Sequence, residues 1–315
     1  MVNLLDRRKT WPAALLALTA CAAPPIDVDY FQPPITISAP PARPITQFSL
    51  YNNTTLVRLG EMKAQVTAFN GKGLLMASWT PHPQGTRARP TFVVVHGGHG
   101  LVPTNFASGV WLRDTFSANV LVLDSYWSRG QNENWATRTR FGANMRALDV
   151  IAAGKWLRDE HHVDTAQMFV MGDSQGGWTV LRSFTEDALL STPMKALYRG
   201  GIAAYPNCFS LDTAVAPKLS PYIAPVIVFT GGKDTATPIA ECPKRVLESA
   251  AQWTHYPDQT HGWDAANRGA AGQAVDGECG KAMNVYNKFP VCRSNATTDD
   301  MRRKIEQFVN DLLPR

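Results

Sequence analysis

A serine sits at the centre of Phe169-Val170-Met171-Gly172-Asp173-Ser174-Gln175-Gly176-Gly177, where an apolar run passes straight into Gly-x-Ser-x-Gly and then into a helical pattern from Trp178 to Leu190. The pentapeptide alone is common by chance, and a merely structural Gly-rich turn is the plain alternative. Strand before and helix after predict instead a nucleophile elbow, in which the glycines two before and two after the serine leave room for a very tight turn. The helix that follows aims its first amides at the reacting centre, so the N–H of Gln175 is a candidate oxyanion donor.

A serine hydroxyl attacks an acyl carbonyl only when a base takes its proton and a carboxylate orients that base. In this strand–turn–helix setting the acid and then the histidine are expected downstream, each just past a strand. The strand Val226–Thr230 leads into Gly231-Gly232-Lys233-Asp234, and the strand ending at Tyr256 leads into Pro257-Asp258-Gln259-Thr260-His261-Gly262-Trp263. Asp234 and His261 are therefore the candidates. Asp258 and Asp264 are rivals that crowd His261, and His255 lies inside the preceding strand. Upstream, Thr91–Val95 ends in His96-Gly97-Gly98-His99-Gly100, similar to the His-Gly-Gly loop that gives esterases a second oxyanion donor, here the main-chain N–H of Gly98 or His99. His96 and His99 as a metal pair lack a third ligand. His161-His162 reads as favourable charge at a helix end. No cofactor is called for, metal or organic. Gly231-Gly232-Lys233-Asp234 is not a phosphate loop, because the earlier glycine is missing and Asp replaces Ser or Thr.

The elements that must position these residues alternate. Expected strands are 64–69, 74–79, 91–95, 120–124, 168–171, 201–204, 226–230 and 253–256, several of them apolar on both faces. Helical spacing runs from about Arg140 to Glu160, along Met145, Leu148, Ala152, Trp156 and Leu157, and from about Thr298 to Leu313. The class is α/β: an α/β-hydrolase fold, a doubly wound and mostly parallel sheet of about eight strands with helices on both faces. The Gly-rich stretch 267–293 breaks the pattern and reads as a surface excursion closed by Cys279–Cys292. Trp135, Trp178 and Trp263 are candidates to line an apolar substrate pocket, with plain packing as the alternative.

The first residues suggest export. Arg7-Arg8-Lys9 precede a short apolar run that ends in Leu18-Thr19-Ala20-Cys21, a lipobox-like tetrapeptide, so residues 1–20 are expected to be a signal peptide with Cys21 lipidated. The run is too short to span a bilayer as a helix. Seven prolines between 22 and 44 make residues 21–46 an extended tether, leaving 47–315 as the catalytic domain. The formal charge of +5 loses three basic and one acidic side chain with the signal peptide, leaving +3. The remaining basic residues are scattered, so no nucleic-acid surface is indicated. Cys208, Cys242, Cys279 and Cys292 form an even set in an oxidising compartment, expected to pair 208–242 and 279–292 because each pair flanks one structural unit.

Together, Val95-His96-Gly97-Gly98, Asp124-Ser125-Tyr126 with Arg129-Gly130, Met171 to Gly177, Gly232-Lys233-Asp234 with Pro238, and His261-Gly262-Trp263 resemble the dienelactone hydrolase family of the α/β-hydrolase superfamily. The resemblance implies that Ser174, Asp234 and His261 form a triad and that Arg129 belongs to a loop at the site mouth. The namesakes use a cysteine nucleophile in the cytoplasm, whereas this chain has a serine and an export signal. A general carboxylic ester hydrolase, with lactones as possible substrates, is the resulting expectation. An acyltransferase or peptidase on the same fold, or a non-catalytic ligand-binding surface lipoprotein, are the alternatives. The expected partners are a small-molecule ester substrate and, through the N-terminal lipid anchor, a membrane.

Overall fold

The computed structural model describes residues 55–61, 74–126, 143–186, 191–208, 222–242, 244–264, 277, 279–283 and 288–314. Its centre is an eight-stranded sheet in the order β1-β2-β4-β3-β5-β6-β7-β8. The strands are β1 (Thr55–Glu61), β2 (Leu74–Thr80), β3 (Thr91–Val95), β4 (Asn119–Asp124), β5 (Met168–Asp173), β6 (Gly200–Ala204), β7 (Val226–Gly231) and β8 (Gln252–Tyr256). β1 pairs antiparallel with β2 and β2 with β4 at one edge, and β3 to β8 all run parallel. The helices are α1 (Pro103–Phe116), α2 (Ala143–His161), α3 (Gln175–Phe184), α4 (Ser191–Leu197), α5 (Lys244–Glu248) and α6 (Asn295–Leu312).

The central strands are buried on both faces because their uninterrupted apolar residues alternate between two helical layers. Val93 and Val95 of β3 point into the layer of α2, α3, α4 and α5, whereas Phe92 and Val94 point into the layer of α1 and α6. On α6, Met301, Ile305, Phe308 and Val309 form the buried face with Thr298, and Leu312 at its end is half-buried. Ser294 caps that helix, its Oγ accepting from Thr297 N at 3.3 Å.

The expected strands from 74 onward and the two long helices are present. The expected strand 64–69 lies outside the described residues, and β1 takes the sheet edge instead. The helix after Ser174 ends at Phe184 rather than Leu190, since Thr185 has left helical backbone. A helix between β3 and β4 was not anticipated. Sequence and structure agree that this is the α/β-hydrolase architecture, and one detail positions the site. β3 connects to β4 on one side and β4 returns to β5 on the other, so the strand order reverses at the C-terminal ends of β3 and β5, where ligands bind in open α/β sheets.

Two disulfides join Cys208 to Cys242 and Cys279 to Cys292. They indicate an oxidising compartment, extracellular or periplasmic. Among the described residues no helix is long and apolar enough to cross a membrane.

Candidate active site

β5 ends one residue before Ser174, whose backbone sits at φ 54° and ψ −117°, a left-handed conformation that non-glycine residues adopt only under local constraint. Three backbone bonds hold the turn: Ser174 N donates to Ala204 O at 3.0 Å, while Ser174 O accepts from Trp178 N at 3.0 Å and Asn207 N at 3.1 Å. The two flanking glycines face each other and the next strand. A Cβ on Gly172 would lie 2.4 Å from the Gly176 carbonyl carbon, and one on Gly176 would lie 2.1 Å from Val95 O. Since neither backbone can retreat without breaking β3 or β5, Gly176→Ala is expected to lower unfolding free energy by about 3 kcal/mol or more, checked by the urea midpoint of the purified protein. A midpoint within the error of wild type would refute this account of the elbow.

The acid loop follows β7. Asp234 is 4% exposed, and each of its oxygens is fully used. Oδ1 accepts from Ala236 N at 2.8 Å and Thr237 N at 2.9 Å. Oδ2 accepts from the Thr237 hydroxyl at 2.7 Å and from His261 Nδ1 at 2.8 Å. Burial pushes this carboxyl upward, but the imidazole beside it and the donated hydrogen bonds outweigh that, holding it below the usual carboxylate range.

His261 is carried by the turn that leaves β8, which is fastened to the acid loop by Gly232 N donating to Tyr256 O and Lys233 N to Gln259 O, both at 2.9 Å. A carboxylate only accepts, so Nδ1 carries the imidazole proton and Nε2 presents its lone pair. That lone pair lies 3.0 Å from Ser174 Oγ, which donates to it. Three side chains from three loops thus meet in one hydrogen-bonded line. Such a line can accept the serine proton as Oγ attacks an acyl carbon and return it to a leaving group.

The loop after β3 lies beside the Ser174 turn. Gly97 and Gly98 lie over the elbow: a Cβ on Gly97 would stand 3.4 Å from Ser174 Cβ, and one on Gly98 would stand 3.1 Å from Gln175 Cδ. Gln175 begins α3, whose first amides have no partner within the helix. This brings the backbone of the 97–99 loop and the N–H of Gln175 to the same side of the nucleophile. Beneath the loop lies a buried polar scaffold the sequence did not reveal. Arg146 is 1% exposed. Its Nη2 donates to His96 O, and its guanidinium stands 5.3 Å over the Tyr126 ring. Tyr126 OH donates to Gln175 Oε1 at 2.9 Å, and Ser125 N donates to His96 Nε2 at 3.2 Å. Asn105 of α1 donates to Asp173 Oδ1 at 3.1 Å, tying the elbow from its other side.

The rival residues have other work. Asp258 is exposed and pairs with Lys233 at 2.8 Å, and Asp264 accepts from Tyr205 OH at 2.7 Å. His255 of β8 lies with its Nδ1 3.0 Å from Thr230 Oγ1 on the neighbouring β7. His161 is wedged against Trp156 and Trp79, at ring distances of 4.1 Å and 5.2 Å, and burial lowers its pKa, so it is more a packing group than a helix-end charge. Among the described residues no group of three His, Cys, Asp or Glu side chains could hold a metal ion.

The tryptophans require correction. Trp178 packs in the core layer beneath α3, and Trp263 is fully buried between the rings of Tyr205 and Tyr256. Both are packing groups, because the indole that follows the elbow and the one that follows His261 turn into the body. Trp135, Arg129 and Cys21 lie outside the described residues. The excursion 267–293 also differs from expectation. Its end is a two-stranded hairpin, β9 (Cys279–Met283) and β10 (Lys288–Cys292), that sets Phe289 against His261 rather than standing free on the surface.

No family model and no curated protein matches the sequence. Comparison of folds finds the same overall fold at low identity. A Klebsiella pneumoniae protein named a dienelactone hydrolase superposes with a TM-score of 0.57 at 15% identity, over 82% of this chain and 99% of its own. P91, a dienelactone hydrolase-like promiscuous phosphotriesterase from metagenomic libraries, gives 0.55 at 12% identity over 83% and 99% of the two chains. Thermogutta terrifontis esterase 2, phosphorylated by paraoxon, gives 0.54 at 14% identity over 84% and 97%. These similarities establish the α/β-hydrolase fold.

Proposed function

We propose that this chain is an exported, lipid-anchored serine esterase of the dienelactone hydrolase type, cleaving carboxylic esters, lactones among them, through an acyl-enzyme. The observation that carries it is the continuous line from Ser174 Oγ to His261 Nε2 at 3.0 Å and from His261 Nδ1 to Asp234 Oδ2 at 2.8 Å. His261 takes the Ser174 proton as Oγ attacks the ester carbonyl, and Asp234 holds the tautomer and the imidazolium that forms. The N–H groups of Gln175 and of Gly98 or His99 hold the oxyanion. His261 then gives its proton to the departing alcohol, and the same base activates the water that hydrolyses the acyl-serine. No metal or organic cofactor takes part in this scheme.

A fluorophosphonate probe tests the reading: it should label wild type stoichiometrically on Ser174, and an unlabelled, folded wild type would leave a ligand-binding protein instead. Esters varied in chain length and aromaticity, with a phosphotriester and an added alcohol or amine acceptor, separate esterase from phosphotriesterase, acyltransferase and peptidase. The anchor has its own test. With residues 1–20 as signal and 21–46 as tether, Cys21→Ser is expected to shift the protein from the membrane to the soluble fraction, and retention on the membrane would remove the lipid.

A further inference from the structure

His261 is 3% exposed, and two aromatic rings meet its imidazole edge to face. Tyr205 belongs to the body of the fold: its ring centroid is 4.8 Å from that of His261 at an interplanar angle of 68°, and Trp263 backs it at 4.9 Å. Phe289 arrives from the hairpin. Its centroid is 5.2 Å from the imidazole at 88°, and its apolar neighbours are Ala236 of the acid loop and Val291, apart from both core layers. Among the described hairpin residues whose side chains are placed, Phe289 alone is buried; Cys279 and Pro290 are exposed, and Val291 and Cys292 are half-buried.

The same segment grips the histidine loop on both sides. Cys292 N donates to Thr260 Oγ1 at 2.8 Å, immediately before His261, and Ser294 N donates to Trp263 O at 3.1 Å, two residues after it. The Cys279–Cys292 bond closes the hairpin at this end, with those two residues directly paired in the ladder.

The contacts at the two ring nitrogens, to Asp234 Oδ2 and Ser174 Oγ with Thr237 Oγ1 also 3.2 Å from Nδ1, fix where the imidazole points, but small turns about its Cα–Cβ and Cβ–Cγ bonds tilt the ring and lengthen those contacts. Rings packed against its faces and edges resist the tilt, and they keep water from competing for either nitrogen. We infer that Phe289, delivered by the disulfide-closed hairpin, is a positioning residue for His261, holding the imidazole in register with Ser174 and Asp234. The inference rests on the serine esterase reading and extends it to a part of the chain that supplies none of the reacting atoms.

Phe289→Ala is expected to lower kcat for a simple ester about 10- to 100-fold, the scale of small misplacements near reacting groups, with KM changed by less than about threefold. The strongly deshielded proton resonance of the His261 Nδ1–H bond to Asp234 should broaden through exchange with water in this variant. Phe289→Leu, which keeps the apolar volume, should recover most of the rate. The double variant Cys279→Ser/Cys292→Ser, which keeps Phe289 but opens its support, should fall between. Wild-type kcat in Phe289→Ala overturns the inference, as does a rise in KM alone, which would make Phe289 a wall of the substrate site. If Phe289→Ala does not fold, the double cysteine variant decides: wild-type kcat and an unchanged resonance there overturn the inference. Probe labelling of wild type is scored separately. Its absence removes the esterase reading, whereas a labelled wild type with an unaffected Phe289→Ala removes this inference alone.

Discussion

Ser174→Ala should reduce ester hydrolysis by roughly 10⁴- to 10⁶-fold and abolish fluorophosphonate labelling, while thermal unfolding stays close to wild type. The size of the effect follows from what remains after the hydroxyl is gone. In the proposed scheme His261 and the oxyanion donors would still hold an ester and direct a water, which in enzymes of this chemistry leaves a residual acceleration of about 10³–10⁴ over water. The covalent route itself is lost. The fold should tolerate the change because Ser174 is held by its backbone, through Ala204 O, Trp178 N and Asn207 N, while its hydroxyl bonds to His261. A rate within tenfold of wild type would mean that some other residue is the nucleophile.

Asp234→Asn should cost about 10⁴-fold in kcat with little change in KM. An asparagine keeps its carbonyl oxygen where Oδ1 accepts from Ala236 N and Thr237 N, and the Thr237 hydroxyl, which loses Oδ2 as an acceptor, still has Tyr205 O at 3.1 Å to donate to, so the loop keeps its shape. Its amide then faces His261 Nδ1, which now meets a donor instead of an acceptor. The imidazole answers by moving its proton to Nε2, and an N–H points at Ser174 Oγ where a lone pair was needed. Shape is preserved and proton transfer is reversed in sense. Asp258→Asn is the control: that carboxylate is exposed and paired with Lys233, and its variant should retain activity within about twofold. Equal losses at 234 and 258 would contradict the assignment of the acid.

Much of this was legible in the chain because it depends on local order. The elbow needs a strand, two glycines and a helix in immediate succession, and Asp234 follows an apolar run that reads as a buried strand, whereas His261 follows β8, an edge strand of half-buried and exposed residues whose β-branched and aromatic types carried the reading. The boundaries that were missed depend on tertiary context. α1 carries apolar residues such as Phe106, Trp111, Leu112 and Phe116 among polar ones without a strong stripe, so its pattern does not stand out against a loop. The scaffold of Arg146, Tyr126 and Asn105 could not be foreseen, since a guanidinium in a helical pattern reads as a solvated charge until the fold buries it beneath His96. Trp178 and Trp263 misled for the opposite reason. Being adjacent to a functional residue in sequence says nothing about which way a side chain turns, and both turn inward. Phe289 gave no signal either, because its contact with His261 spans 28 positions of an irregular, Gly-rich stretch.

The two sulfur bridges are not equivalent in what they ask of the cell. Cys208 and Cys242 are almost wholly buried and tie the end of β6 to the segment just beyond Asp234, closing a separation of 34 residues, for which chain-entropy arguments give roughly 3–4 kcal/mol of native-state advantage. That stitch can be sewn only where an oxidant is at hand. A chain held back in a reducing interior would lack it, so the last tightening of the segment beyond Asp234 depends on the oxidising compartment in which the chain matures.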